Sequence, residues 1–219
     1  MKIALIGATG FVGKAVLDEL LQRKHKVTAL LRDLTKLTLR PGLSTVLADA
    51  YDAESIAAAV RDHDAVVSAF NPGWNEPDLY DKFLRGSVAI EHGVEASGVK
   101  RLLVVGGAGS LFVAPGMQLV DTPEFADHCP ANIIPGARAA RDALSALRDN
   151  EVLDWTFLSP PAFLAPGVRT GVYRVGGEEL LMAGDKPAGI SVADLAVAIA
   201  DEIERPRHVR ARFTVATRD

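Results

Sequence analysis

Cysteine is nearly absent: Cys129 is the one thiol in 219 residues. An internal disulfide and a cysteine-based metal cluster are thereby excluded, and a reducing cytoplasm is the simplest address. Neither sign of charge is in large excess, since 24 basic residues face 28 acidic ones for a formal charge of −4. Such a balance supplies no field to attract duplex nucleic acid or an anionic membrane, and neither is expected as a partner. Internal repeats, low-complexity tracts and charged linkers are missing too, so no domain boundary is marked. The longest charge-free run, from Leu102 to Val120, approaches a membrane span in length. Gly106, Gly107, Gly109, Pro115, Gly116 and Gln118 interrupt it, and it reads as a buried strand followed by a loop. The opening MKIALIGATGFVG has one basic residue and an apolar run broken at Gly7, so a strand is expected there in place of a signal peptide.

What remains is a chain of ordinary globular composition, 48% apolar and 24% charged. Strand and helix signals alternate along it. Lys2 to Ile6 reads as a strand, Val16, Leu17, Leu20 and Leu21 as one face of a helix, and Val27 to Leu31 as the next strand. Further strands are expected at Thr45 to Leu47, Ala65 to Phe70, Arg101 to Val105 and Trp155 to Leu158. Between them lie a helix capped by Asp52, a long helix from Leu79 closed by Gly98, and a helix from Ala137 to Arg148. This alternation predicts an α/β fold: a Rossmann-like, doubly wound parallel sheet covered by helices on both faces. The last third is less regular. A hairpin-like stretch is expected at Gly171 to Val175, a helix capped by Ser191 with Asp194 in the fourth position, and a final strand at Phe213 to Val215. The whole chain, 1–219, is read as one dinucleotide-binding domain, with about 160–190 forming part of a small substrate lobe over the carboxyl ends of the strands.

The informative motif is GATGFVG, with Gly7, Gly10 and Gly13 between a strand and a helix. Glycine at these places lets backbone N–H groups approach a pyrophosphate at the helix N-terminus. Its GxxGxxG spacing is that of short-chain and extended dehydrogenases. At the end of the second strand, Arg32 would accommodate the 2′-phosphate of NADP, whereas Asp33, if turned inward, would keep NAD possible. Asp49 is a candidate acceptor for the adenine amino group or a turn residue. The expected cofactor set is Gly7, Thr9, Gly10, Phe11, Val12, Gly13, Arg32, Asp49, Ala69, Phe70 and Pro160, for NADP(H) with NAD(H) possible. One absence also argues. Tyr51, Tyr80 and Tyr173 each lack a lysine four residues on, so the tyrosine–lysine pair that shuttles a proton in hydroxyl-oxidising short-chain dehydrogenases is missing, and sugar epimerisation through it loses support. His128 beside Cys129 has no partners at ligand or triad spacing.

GATGFVG, Arg32, VVGGAGSL at 104–111, DWTFLSPPAFLAPGVRTGVYR at 154–174 and ISVADLAVAIADEIE at 190–204 together resemble the atypical short-chain dehydrogenases of the NAD(P)H-binding, NADH-flavin reductase type. The likeness runs through nearly the whole chain. It implies hydride transfer to a planar acceptor, a flavin or quinone, stacked on the nicotinamide. It also implies a serine near the end of the fifth strand, for which Ser110 is the counterpart, and a histidine after the paired prolines, where this chain has Ala162. Hydride transfer to such an acceptor asks for stacking geometry more than for acid catalysis. Pro160 and Pro161 can shape the nicotinamide pocket, and Asn71, Trp74, Phe112, Met117 and Tyr173 are candidates for the acceptor wall. A monomer or homodimer is expected. The rival from another class is a non-catalytic redox sensor that binds the same dinucleotide.

Overall fold

The structure is a computed structural model and describes residues 1–218. Elements in chain order are β1 (Lys2–Ile6), α1 (Phe11–Gln22), β2 (Lys26–Leu31), β3 (Leu43–Leu47), α2 (Ala53–Val60), β4 (Ala65–Ser68), α3 (Leu79–Ser97) and β5 (Arg101–Val105). They continue with β6 (Phe112–Ala114), β7 (Met117–Gln118), α4 (Pro123–His128), α5 (Ile134–Leu147), β8 (Asp154–Ser159), β9 (Phe163–Ala165) and β10 (Tyr173–Gly176). The chain closes with β11 (Met182–Ala183), β12 (Lys186–Pro187), β13 (Gly189–Ser191), α6 (Val192–Glu204) and β14 (Ala211–Thr217).

Eight strands form one sheet in the order β10-β14-β8-β5-β4-β1-β2-β3, parallel throughout except for β10. The order reverses beside β1, with β2 on one side and β4 on the other. That reversal opens a crevice at the carboxyl ends, where an open α/β sheet holds its ligand. The strands are apolar on both faces, as burial under helices requires. One core joins Ile3, Leu5 and Val27 to Val16, Leu17 and Leu20 of α1 and to Leu195 and Ile199 of α6. A second core, on the opposite face, joins Ile6, Leu102 and Phe157 to Ile56 of α2, Ile90 and Val94 of α3 and Leu144 of α5. Each fully buried leucine or isoleucine contributes about 1.5–3 kcal/mol relative to exposure, so the sheet is fixed from both sides.

The helix ends follow their local chemistry. Asp52 accepts from the N–H groups of Glu54 and Ser55. Gly98 closes α3 in the left-handed region at φ 84°, and Ser191 accepts from the N–H of Asp194. The return half of that last box is not made: the Asp194 carboxylate takes the N–H groups of Thr170 and Gly171 and the Thr170 hydroxyl instead. Residues 160–190 divide between two roles. β9 with β13 and β11 with β12 form small pairs off the main sheet, while β10 extends its edge. The local hairpin expected at Gly171 to Val175 is therefore corrected. Tyr173 to Gly176 pairs antiparallel with Thr217 to Thr214, some forty residues on, because the alternating strand finds an unpaired sheet edge there.

Candidate functional site

The glycine loop is built as a tight backbone cradle. Gly7 has φ +79°, and a Cβ on it would stand 2.3 Å from the carbonyl oxygen of Ala69. On Gly13 a Cβ would stand 2.0 Å from the carbonyl oxygen of Gly7, so the first turn of α1 lies directly on the loop. Gly10 is different. It is exposed, has φ −77°, and a Cβ there would meet only Gly7 O at 3.3 Å. Gly10 is also the N-cap of α1, where no side chain caps the helix and the first turn carries no acid. The N–H groups of Phe11, Val12 and Gly13 thus end in a positively polarised, open cradle at the crevice. Thr9 and Phe11 flank it, exposed, and Val12 is half-buried. An anionic diphosphate suits these donors, and the space Gly10 leaves is the space its approach requires.

Around this cradle the other expected residues fall at the carboxyl ends of β2, β3 and β4. Arg32 follows β2 and is exposed, with Glu76 of the β4–α3 loop within its electrostatic reach. Asp33 is turned away into its own turn: one carboxylate oxygen accepts from the N–H of Thr35 at 2.9 Å and from its hydroxyl at 2.6 Å. These bonds, with Lys36 nearby, hold the Asp33 carboxyl below its ordinary value. Asp49 serves a turn, accepting from the N–H of Tyr51 at 3.0 Å, and its side chain remains exposed. Ala69 is bonded to Ile6 O and forms the wall against Gly7. Beside it the Phe70 ring meets Tyr51 edge-on at 5.7 Å and Phe83 at 6.1 Å, and Arg85 lies over the Tyr51 ring at 4.7 Å.

The ends of β5 and β8 carry a buried polar network that the sequence does not announce. Ser110 is 1% exposed. Its hydroxyl donates to Gly107 O at 3.3 Å and lies 3.2 Å from the hydroxyl of Ser159, the last residue of β8. Arg212 of β14, whose side chain is fully buried, donates through Nη1 to Ser110 at 3.2 Å and Ser159 at 3.4 Å. Its Nη2 donates to the carbonyl and the carboxylate of Glu178. Burial works against both charged forms. It pulls Arg212 below its ordinary value, while for Glu178 pairing with Arg212 and Arg148 outweighs burial and lowers the carboxyl. Arg212 Nε and Thr214 Oγ1 are buried without a hydrogen-bond partner among the described residues. Pro160 and Pro161, both buried, follow Ser159 directly.

The candidates for an acceptor wall do not stay together. Phe112 lines an open cleft of about 840 Å³ beside this network. Met117 is exposed in β7 and does not line it. Trp74, in the β4–α3 loop, rests against Gly136 of α5, and Asn71 accepts from the N–H of Gly73. Tyr173 packs on the core between α1 and α6, and its hydroxyl donates to Asp201 at 2.6 Å. It is removed from the acceptor wall, because β10 took the sheet edge. His128 is exposed, its Nδ1 2.8 Å from Glu124 O at the end of α4. Arg212, Glu178 and Ser159 were missed by sequence reasoning. The signal available was an arginine and a threonine alternating with Phe213 and Val215, which marks Arg212 as pointing to the face opposite that apolar pair.

Comparison with known proteins agrees with this geometry. A family model described as NAD(P)H-binding matches residues 7–206. The uncharacterized protein YwnB of Bacillus subtilis is 38% identical over 220 residues, covering 99% of each chain. A proposed epimerase from Bacteroides thetaiotaomicron has a solved structure 41% identical in sequence, with TM-score 0.91, covering 100% of this chain and 97% of that one. A proposed NADH-flavin reductase from Streptococcus pneumoniae is 32% identical, with TM-score 0.86 and 100% coverage of both chains.

Proposed function

This chain belongs to the NAD(P)H-binding family, and from that premise we propose that it is an NADPH-dependent reductase of a planar acceptor, a flavin or quinone. The observation that carries the reading is the cradle: a sterically closed Gly7–Gly13 contact beneath an uncapped helix start left open at Gly10. When bound, the reduced nicotinamide supplies a hydride. The N–H groups of Phe11, Val12 and Gly13 would hold the diphosphate, with Thr9 beside them, while Ala69 and Phe70 would border the cofactor on the β4 side. Arg32 would hold the 2′-phosphate. Engagement of Asp33 with Thr35 supports NADP over NAD, since the carboxylate that follows Arg32 in the chain, and would repel the phosphate if turned inward, is tied down in its own turn. The oxygen of Asp49 not used by Tyr51 would accept from the adenine.

Ser110 and Pro160 would border the nicotinamide end of the dinucleotide. Ser110 acts there by position: its oxygen is committed to Arg212 and Ser159, and a proton can come from solvent. Tyrosine-based epimerisation lacks its group. Tyr80 donates to Asp142, which raises the phenol, and Tyr173 is raised by burial and by Asp201, the reverse of an activated tyrosine. We place the whole chain, 1–219, in this role as one domain, with residues 160–190 bordering the acceptor side, working as a monomer or homodimer in the cytoplasm. The test is NADPH oxidation with riboflavin, FMN and a soluble quinone as acceptors, alongside calorimetry of dinucleotide binding. Acceptor-dependent turnover is expected. Tight dinucleotide binding with no turnover on any acceptor would assign the chain to redox sensing instead.

A further inference from the structure

The open cleft beside Ser110 has a wall chemistry that selects its ligand. It is formed where two hairpins meet: the N–H of Phe112 bonds Glu178 O and the N–H of Leu180 bonds Phe112 O, each at 2.9 Å. This clamp joins β6 and β7 to the turn before β11 and leaves a cleft of about 840 Å³ between them. A volume of that order accommodates a molecule the size of a tricyclic ring system. Phe112, Leu180 and Pro187 give it apolar walls, and every charged side chain lining it is a glutamate, namely Glu124, Glu178 and Glu179. Glu178 is balanced by Arg148 and Arg212 on its other side. Glu124 and Glu179 are exposed and form no ion pair among the described residues. The cleft is continuous with the strand-end network: Gln118 donates to Ser110 O at 3.0 Å, and the Arg212 guanidinium lies 6.0 Å from the Phe112 ring.

An apolar cleft with two unbalanced carboxylates at its walls repels an anion and accepts a neutral or positively charged ring. We infer that this cleft is the acceptor site and that it takes a planar acceptor without a phosphate, so that an uncharged flavin or quinone binds and a flavin nucleotide is disfavoured. The identity of the ligand as the acceptor rests on the reductase reading. Its charge selectivity rests on the cleft alone.

Riboflavin and FMN carry the same ring and ribityl chain and differ by the phosphate, so they separate these terms. Binding of each is measured by flavin fluorescence quenching on the full chain saturated with NADP⁺, at low and high salt. Wild type is expected to bind riboflavin about tenfold more tightly than FMN at low salt, with the ratio shrinking as salt screens the carboxylates. The double variant Glu124→Gln/Glu179→Gln, both positions being exposed, should bring the ratio to within about twofold by tightening FMN. Equal or tighter FMN binding by wild type overturns the inference, as does a ratio unmoved by both the double variant and salt, or failure of riboflavin to bind. Should the double variant not fold, the salt dependence of wild type decides. NADPH turnover is read separately. Turnover that uses FMN as well as riboflavin would leave the reductase standing and remove the cleft's selectivity, whereas the binding ratio without turnover would keep the selectivity and remove the reductase.

Discussion

Arg212 Nη1 lies 3.2 Å from Ser110 Oγ, and through that contact a fully buried guanidinium reaches the end of β5. The serine oxygen is thereby an acceptor, and its own hydrogen is left to Gly107 O or Ser159. Ser110→Ala removes one of these buried partners and should cost about 1–2 kcal/mol of stability. Turnover should fall less than about tenfold if solvent supplies the proton. Thermal unfolding and steady-state kinetics on the same preparation check both. A loss beyond about a thousandfold with dinucleotide affinity intact would make Ser110 the proton donor.

Gly10 separates binding from folding. A Cβ on Gly10 would meet only Gly7 O, tightly at 3.3 Å, whereas those on Gly7 and Gly13 would clash at 2.3 and 2.0 Å, so Gly10→Val should fold with a loss of about 1–2 kcal/mol from the poorer N-cap and the small shift that contact asks for. The branched side chain fills the cradle, and dinucleotide affinity should drop at least about a hundredfold. Gly13→Ala, pressed on Gly7 O, should instead unfold the loop and lower the melting temperature markedly. Calorimetric titration of both, with a melting curve for each, tests the contrast. Micromolar binding retained by a folded Gly10→Val would take the loop out of the site.

Much of the sheet was legible because its signals are local. Asp52, Gly98 and Ser191 end or start helices through bonds within a few residues of themselves, and those three assignments hold in the structure. Strand partners are another matter. Alternation at Gly171 to Val175 identified an extended segment correctly, but the choice of Thr214 to Thr217 as its partner depends on which edge is free once the sheet is assembled. Arg212 was hidden for the same reason: burial of an arginine is decided by Glu178, Ser110 and Ser159, which arrive from three other parts of the chain. The Gly7–Gly13 contact of the glycine loop was readable because it acts between residues six apart along the chain, whereas the press of the Ala69 carbonyl on Gly7 comes from the end of β4, more than sixty residues on. The cleft beside Ser110 was not, since its walls come from residues 112–124 and 178–187.

An acid limb in stability should come from Glu19. Its side chain is 3% exposed and takes hydrogen bonds from Arg23 and Arg169, and Arg169, with Arg23, holds the carboxyl below its ordinary value of 4.5 against the opposing effect of burial. A depressed folded value means the contribution is fully present above about pH 4.5 and is lost as pH falls through the folded value. Glu19→Gln should lower stability at pH 7 by about 1–3 kcal/mol, and the gap to wild type should narrow below pH 4. Urea unfolding at pH 7, 5 and 3.5 measures it. A gap that stays constant down to pH 3.5 would remove Glu19 as the titrating group.

Cofactor choice turns on the neighbours Arg32 and Asp33. A guanidinium on the 2′-phosphate makes charge-assisted bonds worth about 1.5–3 kcal/mol, and each 1.4 kcal/mol is tenfold in affinity. With the Asp33 carboxylate held by Thr35, wild type should prefer NADPH over NADH by roughly ten- to a hundredfold at low salt. Arg32→Ala should erase most of this by weakening NADPH, leaving NADH nearly unchanged. Asp33→Ala frees the turn without touching the phosphate, so it should move the ratio by less than about threefold. Titration of both reduced cofactors against wild type and the two variants, at two salt concentrations, separates the contributions. If Asp33→Ala raised NADPH affinity tenfold, the carboxylate would be facing the cofactor despite its bonds to Thr35. If Arg32→Ala weakened both cofactors alike, Arg32 would be holding a part of the dinucleotide that the two share, and the preference for the phosphate would have to come from another group.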